Sequence, residues 1–193
     1  MLKENVSENK FCLYQSRRRF IRLCLFVWCF FCLWMSVSVV HAETIDGLKA
    51  KFPEGKYWNH AGSASNNPDG YTNTPCTHHG NCSKNDTDYS GWCGCNSFGQ
   101  AIQCFGFVNK LTFDYYGSIC TGWRQTRSLD QLKAGDAIRY KNNGHSIWVT
   151  AVNGDTITYA DCNSDRQCKI MWGKTISKSE VAATLTNVYV APY

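Results

Sequence analysis

Apolar residues change their spacing along this chain, and each change predicts a different kind of element. An apolar run from Leu23 to Val40 comes first. Thr44 to Phe52 then carries the spacing of a short helix. Residues 53–95 lose all period, punctuated by Pro53, Gly55, Gly62, Asn66-Asn67-Pro68-Asp69-Gly70, Pro75, Gly80 and Gly91. A stretch of that length without periodicity is unusual inside a compact domain, so it is expected to be stapled by its cysteines or shaped around a cleft. Helical spacing returns from Gln100 to Tyr116, where Ala101, Phe105, Val108, Leu111 or Thr112, and Tyr115 recur and Gly117 supplies a stop.

Beyond Trp123 the spacing becomes that of strands. Ala137–Tyr140, Ser146–Val152, Thr156–Ala160 and Lys169–Trp172 are rich in β-branched and aromatic residues, and Asn153-Gly154-Asp155 marks a hairpin turn. Ser177-Lys178-Ser179-Glu180 is a capping box that opens a short helix to Leu185, and a last strand, Asn187–Ala191, follows. An irregular segment, one main helix and an antiparallel sheet make an α+β fold.

Charge changes this picture only at one end. The 193 residues hold 20 Lys plus Arg against 15 Asp plus Glu, a formal charge of +5. Residues 1–42 account for +4 of it, with six basic side chains (Lys3, Lys10, Arg17, Arg18, Arg19, Arg22) against Glu4 and Glu8. The remaining 151 residues carry +1, without the basic surface that a nucleic-acid partner requires. Arg17–Arg19 and Arg22 before the apolar run, with Val40-His41-Ala42 after it, read as a signal peptide over residues 1–42 cut after Ala42. An uncleaved signal anchor is the alternative, because the run of 18 residues approaches the ~20 that span a bilayer. Either way the body is expected outside the membrane, secreted or at the cell wall, and touching the membrane only through an uncleaved leader.

Four of the 12 cysteines lie in that leader, leaving Cys76, Cys82, Cys93, Cys95, Cys104, Cys120, Cys162 and Cys168. An exported domain normally pairs such cysteines. Residues 76–95, with His78 and His79, also hold zinc-ligand types, but their spacing matches no standard zinc motif, so disulfides are favoured. Cys162 and Cys168 flank a polar turn and are expected to close it as a disulfide. Cys93-Gly94-Cys95 begins no helical pattern and is read as disulfide-forming.

Cys104, at or near the start of the predicted main helix, is the candidate nucleophile. Unpaired N–H groups and the positive helix end favour a thiolate there, and the same N–H groups suit an oxyanion. His145, at the beginning of a predicted strand, is the best-placed base; His60, His78 and His79 fall in the irregular segment. A three-residue turn with Gly154 left-handed would pair Ala151 with Asp155, Val149 with Ile157, Ile147 with Tyr159 and His145 with Asp161. That register puts His145 and Asp161 at the end of one apolar face, with Asn163 two residues on; a two-residue Asn153-Gly154 turn would put them on opposite faces. Cys104, His145 and Asp161 or Asn163 thus form a Cys-His-polar constellation. Its structural rivals are a Cys104–Cys120 disulfide and a histidine that merely caps a strand. Asp136 is read as serving the turn before a strand.

Four short motifs, Gln103-Cys104, Leu132-Lys133-Ala134-Gly135-Asp136, Gly144-His145-Ser146-Ile147-Trp148-Val149 and Tyr159-Ala160-Asp161-Cys162-Asn163, resemble in order the CHAP cysteine amidase/peptidase domains, relatives of the NlpC/P60 group. The resemblance covers roughly residues 96–165. It implies a papain-like fold, with residues 96–193 as catalytic core and 43–95 as its irregular cysteine-rich N-terminal segment. It implies Cys104 as nucleophile, His145 as base, and Asp161 and Asn163 as orienting groups. Two departures stand out: Asp161 occupies a position commonly held by Glu, and Phe105-Gly106 is closer to the NlpC/P60 Cys-x-Gly pattern.

The implied activity is cleavage of amide bonds in peptidoglycan, as an N-acetylmuramoyl-L-alanine amidase or an endopeptidase, with a muropeptide substrate and neither metal nor cofactor. The chain is read as a monomer. Tyr57, Trp58, Tyr71 and Trp92 suit either a muropeptide groove or simple packing of the irregular segment. Two other classes compete: an inactive or carbohydrate-binding module stapled by disulfides, and a papain-like protease acting on proteins. Asn81-Cys82-Ser83 and Asn85-Asp86-Thr87 fit the N-glycosylation pattern, which matters only in a eukaryotic secretory host.

Overall fold

A computed structural model describes residues 43–60, 66–76 and 94–192. The leader, His78, His79, Cys82, Cys93, Trp92 and both glycosylation patterns lie outside the described residues. Helix α1 spans Ile45–Lys51, opened by Thr44, whose hydroxyl accepts from the Gly47 N–H. A two-stranded hairpin, β1 (Ser97–Phe98) and β2 (Ala101–Ile102), precedes helix α2 (Gln103–Tyr116), which ends at Gly117 in the left-handed conformation. The helix therefore begins three residues later than Gln100. Gly99 and Gln100 both have φ near +60° and turn the chain back on itself, a conformation that helical periodicity does not register.

Six strands form one antiparallel sheet: β3 (Arg124–Thr126), β4 (Ala137–Tyr140), β5 (His145–Asn153), β6 (Thr156–Cys162), β7 (Ile170–Ser177) and β8 (Asn187–Val190). Their order across the sheet is β3-β8-β4-β5-β6-β7. Helix α3 (Lys178–Ala182) is capped by Ser177, as the capping box predicts. Alternation along the strands divides the sheet into two faces. Ala137, Trp148, Ala160 and Tyr189 share a core with Phe107, Val108 and Leu111 of α2; Ile138, Ile147, Val149, Ile157 and Val188 form a second core with Val181, Leu129 and Leu132. Small alanines on the helix face let α2 lie close to the central strands.

The hairpin register differs from expectation. Asn153 pairs with Thr156 around a two-residue Gly154-Asp155 turn, with positive φ at Gly154 alone, which is the II′ pattern. Taken alone, that turn would put His145 and Asp161 on opposite faces. A bulge at Thr150 shifts the register so that Val149 pairs with Tyr159, and this restores the shared face. The two residues are diagonal neighbours rather than direct partners.

The irregular segment is attached by short extended pieces. Tyr57 bridges Thr72 and Lys169, and Asn59 bridges Cys95. The Trp58 N–H donates to the Cys168 carbonyl at 2.8 Å. Cys95 and Cys168 thus flank the same strip of chain, and they form a disulfide. The expected Cys162–Cys168 bridge is absent, because Cys168 is drawn towards residues 57–59 while Cys162 points into the core as an unpaired thiol. The polar turn is closed instead by Asn163, whose Oδ1 accepts from the Cys168 N–H at 3.0 Å. Trp58 packs the segment down rather than lining a groove: its ring lies 5.4 Å from Phe107 and its Nε1 donates to the Pro68 carbonyl. Tyr71 is exposed.

Candidate active site

Cys104 is the second residue of α2, and its side chain is only 5% exposed. Ile102 precedes the helix with no side chain capping it, so the first backbone N–H groups keep their donors for a ligand. Gln103, immediately before the cysteine, has φ of 55°, a conformation that costs a non-glycine residue on the order of 1–2 kcal/mol. Asn163 Nδ2 holds it there by donating to Gln103 Oε1 at 3.1 Å. Gly106 is required by close approach: a Cβ there would meet the Ala101 carbonyl oxygen at 2.5 Å.

His145 opens β5, and its Nε2 lies 2.8 Å from Asp161 Oδ2. The ring's other electrostatic neighbour is Cys104. Asp161 rather than Asn163 therefore meets the imidazole; Asn163 is occupied with Gln103 and Cys168. Asp161 is fully buried, and its Oδ1 has no hydrogen-bond partner, so its charge is directed at the ring. Lys174 Nζ stands 4.0 Å from Oδ2. The Tyr140 ring lies edge-on to His145 at 5.7 Å. Burial keeps the Tyr140 and Tyr159 phenols protonated, with the Asp161 charge adding to it.

Burial alone would raise the Cys104 thiol, but the hydrogen bond and charge of His145, the charge of Arg139 and the Ser146 N–H outweigh it and hold the thiol below its usual 9.0. His145 moves the opposite way. Burial lowers it, yet hydrogen bonds to Asp161 and Cys104 and their charges raise it from 6.5 to about 9. These opposed displacements describe a thiolate–imidazolium pair. Burial instead pushes Cys120 up to about 12 and Cys162 well above 9.0, with the charges of Cys104 and Asp161 adding to the shift at Cys162. Neither is bonded to Cys104: Cys120 Sγ contacts Asn109 Oδ1 at 3.1 Å, and Cys162 Sγ contacts the Cys168 carbonyl at 3.4 Å.

Arg139 was not singled out by its sequence, where it interrupts an apolar strand. It pairs with Ser146 across β4 and β5, and its guanidinium reaches Cys104 with Nη1 3.9 Å from Sγ. The cleft around Cys104 and Arg139 has a volume of about 560 Å³. A larger depression of about 760 Å³, beside Trp123, Lys133 and Val188, has no cysteine in its lining. Asp136 borders that depression as a structural group, its carboxylate accepting from the Lys133 and Ala191 N–H groups. Among the described residues no cluster of His, Cys, Asp or Glu is placed to hold a metal ion.

Neither a family model nor a curated protein matches the chain. Among solved structures it is similar to the crystal structure of Ly7917, at 19% identity over 48% of this chain and 39% of that one, with a TM-score of 0.32. It is also similar to Ly7917 "with the hydrolyzing product of MDP", at 18% identity over 47% and 38%, with a TM-score of 0.33. The match spans well under half of those chains.

Proposed function

We propose that this chain is an exported cysteine hydrolase that cleaves amide bonds in cell-wall peptides through Cys104, His145 and Asp161, on a papain-like arrangement of helix and sheet. The observation that carries the reading is the buried line Asp161–His145–Cys104, in which thiol and imidazole are displaced in opposite directions. The unpaired, ion-paired thiol favours an enzyme over a disulfide-stapled binding module. The choice of peptidoglycan rests on the CHAP-like motifs, and export rests on the leader together with a disulfide suited to an oxidising compartment.

In the reaction the Cys104 thiolate adds to the amide carbon, and the carbonyl electron pair moves to oxygen beside the N–H groups opening α2. Collapse of this adduct breaks the carbon–nitrogen bond, and the His145 imidazolium gives its proton to the departing amine. Neutral His145 then takes a proton from water, whose oxygen attacks the thioester. The acid is released and the thiolate–imidazolium pair is restored. Asp161 keeps the ring oriented and its charge matched throughout. Asn163 acts one step removed, by holding Gln103.

Turbidity clearance of cell-wall suspensions tests the proposal. The wild-type chain is expected to clear them, and Cys104→Ala and His145→Ala are not. Undiminished clearance by either variant contradicts the mechanism.

A further inference from the structure

Apart from Cys104, Arg139 is held by neutral groups. Its Nε donates to Asn143 Oδ1 at 2.8 Å, Nη1 to Ser146 Oγ at 2.9 Å and Nη2 to the Asn143 carbonyl, while the Phe105 ring covers one face with its centroid 4.9 Å from Cζ. Among the described residues no carboxylate forms an ion pair with it, although Lys51, Lys110, Lys133 and Lys174 all have one. A guanidinium has five N–H donors, so two remain after these three bonds. An Nη1 N–H faces Cys104 Sγ, and Arg139 lines the cleft. The other described residues lining that cleft are uncharged apart from the thiol: Gly99, Gln100, Ala101, Thr121 and Gly144 among them. The anion nearest to Arg139 is thus the thiolate itself. Acylation converts that thiolate to a neutral thioester and leaves a rigid, partly desolvated cation with no counter-charge beside the acyl group. Planar, bidentate recognition of a carboxylate is what such a fixed fork does best.

We propose that Arg139 forms a carboxylate subsite beside the nucleophile, so that the preferred substrate carries a free carboxylate next to the scissile amide. This deepens the hydrolase reading and rests on Cys104 being its nucleophile. The subsite is preorganised, since Asn143, Ser146 and Phe105 fix the guanidinium before substrate arrives. It also discriminates: an amidated substrate at the same position leaves the cation unpaired, whereas the free acid satisfies it.

Two alkylating reagents that differ only in this group provide the test. Iodoacetate and iodoacetamide both react by thiolate attack on carbon, forming a carbon–sulfur bond and expelling iodide, but only the first carries a carboxylate. The ratio of their rates at Cys104, relative to the same ratio for a free small-molecule thiol, reads the subsite. In the wild-type chain the relative ratio is expected to favour iodoacetate. Arg139→Met should lower it by about tenfold, and Arg139→Lys by less, since it keeps the charge but loses the fork. Raising sodium chloride to about 0.5 M should erode the wild-type preference without any mutation, which guards against misfolding of a variant. Equal slowing of both reagents in Arg139→Met, or a salt-insensitive ratio, overturns the subsite and leaves the hydrolase reading standing. A Cys104 inert to both reagents overturns both.

Discussion

At the scale of single residues, Asp161, His145 and Cys104 form a series in which the charge of each shifts the pKa of its neighbour. Asp161 has one carboxylate oxygen on His145 and one without a partner, so the energy of burying it is recovered mainly through the imidazolium. Asp161→Asn removes that charge and is expected to cut kcat on the order of 10²- to 10⁴-fold. The pH dependence follows from the signs. The active pair needs Cys104 deprotonated, which its lowered pKa permits below 9.0, and His145 protonated, which fails as pH rises through about 9. Activity against pH should therefore be bell-shaped with an alkaline limb near 9, and Asp161→Asn should move that limb to lower pH because the charge that raises His145 is gone. A pH–rate profile for wild type and variant checks both. Cys104 and His145 were legible in the sequence because helix start and strand start are local patterns. The choice between Asp161 and Asn163 stayed open there, and the shared face of His145 and Asp161 depends on a bulge that strand parity did not foresee. Arg139 was not legible, because a lone cation in a strand reads as solvent-facing until the helix that covers it is placed.

Among elements, the placement of Cys104 depends on a hairpin and helix that touch through Gly106. The Cβ of Gly106→Ala would press on the Ala101 carbonyl at 2.5 Å, so this variant is expected to lose at least about 1 kcal/mol of stability and to depress activity by tilting the first turn of α2. Urea unfolding and turnover measured on the same preparation would check it; wild-type values for both would mean that the helix start tolerates displacement. The Cys-x-Gly spacing carried this constraint, but what stands opposite the glycine came only from the β1–β2 hairpin. Strands β4, β5, β6 and β8 were read nearly to their ends, since buried alternation is a strong signal. The bulge at Thr150 was not, because its neighbours Val149 and Ala151 suit a strand in either register. β3 has only three residues, two of them exposed, too few for a period to appear.

For the whole molecule, the irregular segment is joined to the sheet by the Cys95–Cys168 disulfide, whose cysteines lie 73 residues apart. Closing so long a loop is worth about 2–5 kcal/mol, so the Cys95→Ser variant should unfold at distinctly lower denaturant concentration than the wild type. An unchanged midpoint would mean that the hydrogen bonds of residues 57–59 hold the segment unaided. The pairing was hidden in the sequence because disulfide partners are chosen by tertiary proximity; Cys162 was closer along the chain but faces the core. The same disulfide holds Cys168 beside Asn163, and Asn163 holds Gln103 next to the nucleophile, which links the irregular segment to the site. That Cys104 cleaves amide bonds of cell-wall peptides is most directly tested by mass analysis of purified peptidoglycan after digestion with the wild-type chain and with Cys104→Ala. The wild type should release fragments ending in a new carboxylate and a new amine, together the mass of the parent plus one water, and the variant should release none. Identical fragment patterns from the two proteins, or products cut at glycosidic rather than amide bonds, would contradict it.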